Sequence, residues 1–537
     1  MSIFSIGLSG LNAAQNALNT TSNNISNVYT PGYNREVTIL GEGRGDGGVR
    51  VNDIQRQFNQ YVANQLNSAT SGSKALSAYQ NQISQIDNLL ADRDAGLAPL
   101  MQSFFSSLED LAGAPSDPAA RQGVLGTAQT LTAQFRAFDS YLQDMQQGIN
   151  GQIRDEVIQI NNTTEQLAML NREIALARAR TGEAPNGLLN QRDQLVAELS
   201  ERMDVRLVIQ DGKSYNISLP NGQPLVSGTN HYKLEAMDSP NDPQRTILGY
   251  RDSGGSLVAL PENTVKGGTL GGLMAFRAET LDKTQNQIGQ LAVSLAVGFN
   301  EQHAKGTGLD GEPGGDFFNI AGPTVFGHAH NIADIAVEAS FDATDIGALR
   351  ATDYSIRFLD DATAEITVKQ GGERFTQPLD GDLLSFGGIT LSFTDAPQAG
   401  DRFEVQPVRR AAQGFETAIE GTDQIAAGLS GATGDNENAL ALQGLQDKLL
   451  VGGRASFNQA YASMVSDVGN KTNVVQVNLE ARQGLTDQLR AVQQSESGVN
   501  LDEEAANLLR YQQFYAANAR VIDTASTIFD TILGLRS

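Results

Sequence analysis

The chain of 537 residues contains no cysteine and no tryptophan. Without cysteine there is no disulfide, no thiolate metal ligand and no cysteine nucleophile. Such a chain can enter an oxidising compartment without mispairing. Aromatic residues make up 6% of it against 40% hydrophobic residues, a balance that suits long helices and small cores rather than a deep aromatic pocket. Positive charge is also short. The 38 Lys and Arg face 62 Asp and Glu, a formal net charge of −24. That balance opposes binding to nucleic acid or to an anionic membrane, both of which need a basic footprint; its ordinary consequence is solubility. No apolar run reaches about 18 residues, so no membrane insertion is expected. The N-terminus lacks the basic and solidly apolar regions of a secretory signal peptide, so any export would take another route.

Charge is missing most conspicuously at the start, where the first charged side chain is Arg35. What stands there instead is a repeat. Phe4, Gly7, Leu11, Ala14, Leu18, Thr21, Ile25 and Val28 step alternately by three and four, a heptad stripe along one helix. A helix over 3–28 would be about 40 Å long. It would be poor alone: Asn12, Asn16, Asn19, Asn23, Asn24 and Asn27 are weak formers, and Gly7 and Gly10 cost about 1 kcal/mol each relative to Ala. Single helices of this quality are mostly unfolded in water, so the stripe implies a partner. The far end supplies a match. Leu501, Ala505, Leu508, Gln512, Tyr515, Ala519, Ile522, Ser526, Phe529 and Leu533 step by four and three, with Leu509, Val521, Ile528 and Ile532 beside them. That width suits more than one neighbour. Pairing of the two ends within one chain is the simpler alternative. In a lone chain these ends are expected to be disordered and to order on assembly. The assembly contacts expected are Phe4, Leu11, Leu18 and Ile25 at the front and Leu508, Tyr515, Ile522 and Phe529 at the rear.

"SNNISNVYTPGYNRE" (22–36) ends the first helix. The residue before Pro31 avoids the helical region, and Pro31-Gly32 has the chemistry of a type II turn with Gly32 at positive φ. Pro31 and Gly32 thus mark a hinge into a short hairpin. Beyond it, 55–90 and 97–145 read as helices with a break at "APSDP", and Ile153, Val157, Ile160, Leu167, Leu170 and Ile174 mark another. "TGEAPNG" turns the chain back along Leu188, Leu195, Leu199 and Met203. Residues 205–260 read as strands ("VRLVIQ", "YNISL", "RTILGY", "SLVAL") between turn residues. Helix returns over 270–303, a Gly-rich loop comes next at 306–315, and strands ("YSIRFL", "AEITVKQ", "GGITLSF", "DRFEVQP") fill 354–407. From 410 onward the pattern is helical. The fold class is mainly α with inserted β domains: an elongated multidomain chain, its terminal amphipathic helices paired at one end, with a long-helix bundle body and β-rich outer domains. The expected units are a terminal domain of 1–51 with 498–537, a helical body of 52–203 with 267–325 and 409–497, a β-rich insertion at 204–266 and a β-rich outer domain at 326–408.

Sites for chemistry are weak. Gly43 to Gly48 fits G-x-G-x-x-G, but "VRV" comes after it where a dinucleotide site needs a helix, so a hairpin turn is the better reading. His328 and His330 could share a strand face as metal ligands, without cysteine or a well-spaced carboxylate to complete a site; His231 and His303 stand isolated. Asp310, Glu312 and Asp316 suggest an oxygen-ligand loop yet miss the EF-hand spacing. G-x-S-x-G and Walker A sequences are absent, and no carboxylate pair stands out. No catalytic, cofactor or metal site is expected.

Two stretches carry a resemblance. "SNNISNVYTPGYNRE" and "SGVNLDEEAANLLRYQQFYAANARVIDTASTIFDTIL" resemble the N- and C-terminal signatures of the bacterial flagellar axial proteins, the rod, hook and hook-associated proteins. "INNTTEQLAMLNREI", "PNGLLNQRDQLVAELS" and "GDNENALALQGLQ" narrow this to the hook-associated protein 1 family of hook–filament junction proteins. Gly187 and Asn190 depart from the family's usual Asp and read as surface turn positions. The resemblance implies a structural adaptor, not an enzyme, joining hook to filament. It implies an extracellular protein exported by the type III flagellar apparatus without a cleaved signal peptide. Its implied partners are the hook protein, the second junction protein (hook-associated protein 3), copies of itself and an export chaperone on the C-terminal region. Another axial protein, or an exported adhesin or enzyme with axial-type ends, would share the same termini. A surface lectin site on 326–408 would belong to the latter reading.

Overall fold

The computed structural model describes residues 3–43, 47–92, 96–210, 214–332, 335–430 and 432–534. Helix α1 (Ile3–Ser26) leads through a turn into an antiparallel hairpin, β1 (Glu36–Glu42) and β2 (Val49–Arg56). Strand β2 thus takes up the start of the segment read as helix from residue 55. Helix α2 (Gln60–Leu90) begins where Asn59 accepts from the Tyr61 and Val62 amides, satisfying donors that a helix start leaves open. After α3 (Leu97–Gly113), the break at "APSDP" ends in an N-cap: Asp117 accepts from the Ala120 amide and Pro118 occupies the first turn. Helix α4 (Pro118–Thr181) then runs 64 residues to Gly182, which closes it at φ 85°. The two helices expected within this span are one. No proline interrupts it, and Met145, Ile149, Ile153 and Val157 carry one buried stripe across the midpoint. Helix α5 (Asn186–Arg202) packs back along it.

Two small antiparallel sheets come next. One is β3 (Arg206–Gln210), β4 (Ser214–Ser218), β5 (Pro224–Ser227) and β6 (Asn230–His231). The other is β7 (Leu234–Asp238), β8 (Thr246–Arg251) and β9 (Leu257–Ala259). Their Tyr215, Ile217, Val226, Leu234 and Leu248 belong to the same apolar cluster as Ile153, Ile160 and Leu167 of α4. Asparagines of α4 extend the backbone bonding of the strands: Asn161 exchanges hydrogen bonds with both Leu234 main-chain groups, and Asn171 donates to the Tyr215 carbonyl. The strands are therefore built onto the helical core.

Helix α6 (Gly268–Phe276) passes through one π turn (Arg277–Leu281) into α7 (Asp282–His303). A two-residue strand, β10 (Phe318–Asn319), then leads outward. The outer strands are β11 (Thr324–Gly327), β12 (Val337–Phe341), β13 (Tyr354–Phe358), β14 (Thr363–Val368), β15 (Arg374–Pro378), β16 (Leu383–Phe386), β17 (Ile389–Phe393) and β18 (Arg402–Gln406). They form a five-stranded sheet ordered 11-18-13-14-15 and a three-stranded sheet ordered 12-17-16. Ile356, Phe358, Leu391, Phe393 and Phe403 fill a second apolar cluster of their own. The chain returns through β19 (Glu416–Thr417), which pairs with β10, to α8 (Glu437–Gln443) and the long α9 (Phe457–Ser497). A capping box between Ser456 and Gln459 opens α9, which packs against α2, and α10 (Leu501–Gly534) closes the chain.

Buried ions join the outer unit to the body. Arg409 pairs with Asp353 of the outer unit and, at 3.0 Å, with Asp282 at the start of α7. Arg245 bridges Asp282 (2.6 Å) and Glu262 (2.7 Å), and Arg277 also reaches Glu262. Burial opposes ionisation of Asp282, but Arg245 and Arg409 outweigh it and hold the carboxyl below its usual range. Removing one member would strand a buried partner charge, the costly case for such networks.

Candidate assembly site

The chain ends meet. Helices α1 and α10 lie against each other, and the β1–β2 hairpin covers another side of α1. The side of α1 buried by α10 and the hairpin is made of small residues: Gly7, Gly10, Ala13, Ala14, Ala17, Thr20, Thr21 and Asn24 are its buried positions. The closeness is measurable at the glycines. A Cβ on Gly7 would stand 2.8 Å from Ile522 Cγ1, and one on Gly10 would overlap the Asn518 amide. Gly7 and Gly10, which weaken α1 as a lone helix, are what let α10 approach.

The large members of the expected stripe sit beside this seam. Leu11, Leu18 and Ile25 are half-buried and Phe4 is 49% exposed. On α10, Leu508 and Ile522 are half-buried, whereas Tyr515 is 38% and Phe529 62% exposed. Only Glu504 among the described residues of α10 is buried. Ile3 and Phe4 line an open apolar groove with Ile528, Phe529 and Ile532. The opposite face of α1 carries exposed Asn12, Asn16, Asn19 and Asn23, with no charge. Both ends, expected to be disordered in a lone chain, are helical here, and much of their apolar surface faces outward.

The hinge has its expected geometry. The Tyr33 amide donates to the Thr30 carbonyl at 3.2 Å, Gly32 takes φ 76°, and Pro31 occupies the preceding corner, which is a type II turn. Next to this turn lies a polar cluster that the local sequence pattern does not reveal. Asn24, 1% exposed, accepts from the Tyr33 hydroxyl (2.8 Å) and the Glu36 amide (2.9 Å). It donates to the Glu36 carbonyl (2.8 Å) and to Glu504 Oε2 (3.1 Å). Arg35 Nε donates to Glu504 Oε1 at 2.7 Å, and its guanidinium also reaches Glu503 at 2.8 Å. Burial, with the charges of Glu36 and Glu504, pushes the Tyr33 hydroxyl well above its usual range, so it stays a donor. Asn500 accepts from the Asp502 and Glu503 amides at the start of α10, where acidic residues also complement the helix dipole. The signal available in sequence was the juxtaposition of two quoted motifs, one ending in Arg35 and one carrying Glu503-Glu504.

A second cluster anchors the hinge on the body. Asn190 Oδ1 accepts from Asn34 (2.8 Å) and Arg56 (3.1 Å), and Arg56 also pairs with Asp193 at 2.6 Å. Asp193 in turn accepts from the Tyr215 hydroxyl at 2.7 Å. Asn190 is buried within α5, which corrects its reading as a surface turn position: the turn ends before α5, and the side chain points into the hinge. Gly187 is exposed, with open space at its Cβ.

The remaining candidates do not converge. Residues 44–46 of the Gly-rich stretch lie outside the described residues; around them Gly43 bonds to Gly48, and β2 stands where a dinucleotide site needs a helix. His328 lies past the end of β11 and accepts the His330 amide on Nδ1. Asp310 caps the Glu312 amide within its own loop. His303, fully buried, binds the Gly315 carbonyl through Nδ1 and accepts the Ala426 amide on Nε2, so it tethers a loop. Among the described residues no group of three His, Asp or Glu is placed to hold a metal ion. Nor is any helix there long and apolar enough to cross a membrane.

Comparison with known proteins adds three family matches. Residues 83–318 match the flagellar hook-associated protein FlgK helical domain. Residues 4–34 match the flagella basal body rod protein family, and 493–535 the flagellar basal body rod FlgEFG protein C-terminal family. The flagellar hook-associated protein 1 of Salmonella typhimurium is 41% identical, over the full length of both chains. That of Escherichia coli K12 is 42% identical, again over both full lengths. The solved structure of the flagellar hook junction protein FlgK from Burkholderia pseudomallei superposes with a TM-score of 0.75 at 28% identity, covering 80% of this chain and all of that one.

Proposed function

The chain belongs to the flagellar hook-associated protein 1 family and is a structural component of the hook–filament junction; from its geometry we infer that it assembles through α1 and α10. The observation that carries this is the state of α10. Its helix spans 34 residues with one buried side chain, while Leu509, Tyr515, Ile528, Phe529 and Ile532 remain exposed. Apolar surface of that extent, beside a chain with two well-filled cores, is interaction surface. Phe4, Leu11, Leu18 and Ile25, with Leu508, Tyr515, Ile522 and Phe529, are the contacts assigned to neighbouring copies, and Pro31 and Gly32 set the bend from that layer to the body.

The reading extends to partners. The hook protein lies on one side and the second junction protein, hook-associated protein 3, on the other. A chaperone covers the C-terminal region before export, which the exposed α10 requires in a concentrated cytosol. Export runs through the type III flagellar apparatus without a cleaved signal peptide, and the working location is the extracellular flagellum. The unit 1–51 with 498–537 is assigned as assembly layer, the body with its 204–266 insertion as spacer, and the 326–408 outer domain as outer surface. No catalytic step, cofactor, nucleic acid or membrane insertion is assigned. The test is a strain of the source bacterium lacking this gene. Flagellin shed into the medium from cells with bare hooks is the expected result, and filaments still attached to hooks would reject the junction role.

A further inference from the structure

We propose that Asn24, Arg35 and Glu504 form a register pin for the terminal helix pair. The inference rests on the assembly role of that pair and adds the residues that decide which turn of α1 faces which turn of α10. A seam with Gly7 and Gly10 at its closest points permits close approach but discriminates poorly between neighbouring registers, because small side chains make no deep interlock. Specific register in packed helices commonly comes from a buried polar residue. Here Asn24 is 1% exposed and uses both amide donors and both acceptor positions of its oxygen. Its amide orientation is dictated by Glu36, whose N–H must meet oxygen and whose carbonyl must meet nitrogen. That leaves one N–H aimed at Glu504, whose other oxygen is held by Arg35. A slip of one helical turn would leave a buried carboxylate and a buried amide donor without partners.

The seam repeats the register set by this pin. Gly10 lies fourteen residues before Asn24, and Asn518, which it meets, lies fourteen after Glu504. The antiparallel match therefore holds from the pin into the glycine contact. The pin also reaches the body, because the Arg35 amide donates to the carbonyl of Ser497 at the end of α9 and the Arg35 carbonyl accepts from Gln57. Register, bend and attachment of the pair are set at one place.

The absence of native cysteine permits a direct test. In the full-length purified chain, Gly10→Cys is combined in turn with Asn518→Cys, Phe514→Cys and Val521→Cys, and disulfide yield is measured under mild oxidation. The chain is expected to favour the 10–518 pair at least fivefold over the others. Glu504→Gln, which keeps size but presents N–H to N–H, and Asn24→Asp, which sets carboxylate against carboxylate, should each erase that preference. The combination Asn24→Asp with Glu504→Gln lets residue 504 donate to residue 24 and should recover part of it, the Glu36 carbonyl still lacking its donor. Retention of the 10–518 preference in Glu504→Gln or in Asn24→Asp, or no recovery at all in the combined variant, would overturn the proposal. Complementation of the deletion strain with the same variants is read separately. Loss of the 10–518 preference with filaments still attached would count against the assembly role and leave the pin standing.

Discussion

The body and the terminal pair use apolar residues in opposite ways. In the body, Phe104 is fully buried against Phe299, Phe317 and Phe318, with ring centroids 5.5 to 6.4 Å apart. On α10, Phe529 and Ile532 stand more than half exposed. The aromatic cluster satisfies itself within one chain, whereas the terminal surface leaves large apolar side chains open. Under the proposed assembly role, stability and assembly fall to separate residues, and substitutions should separate them.

The sharpest separation is expected from Tyr515→Asp combined with Phe529→Asp. Each places a carboxylate on surface that is open in one chain and covered in an assembly, where an unpaired charge is costly. Attached filaments should be lost in the complemented deletion strain, while the thermal midpoint of the purified chain stays within about 1 °C. A large fall in that midpoint would show that α10 supports the body, and the contrast would fail. Phe104→Ala should behave in the reverse sense. Truncating a fully buried Phe costs roughly 3–5 kcal/mol, read as a lowered denaturation midpoint in guanidinium. The terminal cross-link between positions 10 and 518 should persist under native conditions.

A smaller effect tests the outer sheets. Burial pushes the Glu404 carboxyl up to about 7, although Lys369 pulls it down. The folded chain then holds a proton that the unfolded chain releases above its ordinary value near 4.5. The stability this provides is fully present below that value and is lost as pH rises through about 7. Melting of the outer unit should therefore drop by a few degrees between pH 5 and pH 8. Glu404→Gln should flatten that part of the slope, and an unchanged slope would place the titration elsewhere.

Much of this was legible in the sequence. Heptad steps located both end helices, and Thr30-Pro31-Gly32-Tyr33 gave the turn and its glycine. Strands with clean alternation, such as β13 and β14, were readable, whereas β5, β15 and β16 were not. Pro224 and Pro378 stand at the limits of β5 and β15, where they resemble turns, and β5 and β16 are four residues each. The face of α1 that makes contact was hidden because glycine and alanine register as weak helix formers or neutral fillers, and their meaning depends on how near another backbone comes. Asn24 and Glu504 were invisible as a pair for a different reason: local pattern says nothing about partners at opposite ends of a chain. Asn190 was misplaced because a turn in sequence and the first turns of the next helix look alike until the packing of Asn34 and Arg56 is known.

That separation has a temporal consequence. Asn24 and Glu504 are 480 positions apart, yet loop-closure entropy grows only with the logarithm of length, so the distance itself adds little. What it does impose is order. Neither terminus can complete its own hinge hydrogen bonds until the other is in place. A chain that stops short of Glu504 cannot supply the carboxylate, and one that lacks Asn24 cannot receive it. The contact between the two ends thereby closes only when both have been made and brought together.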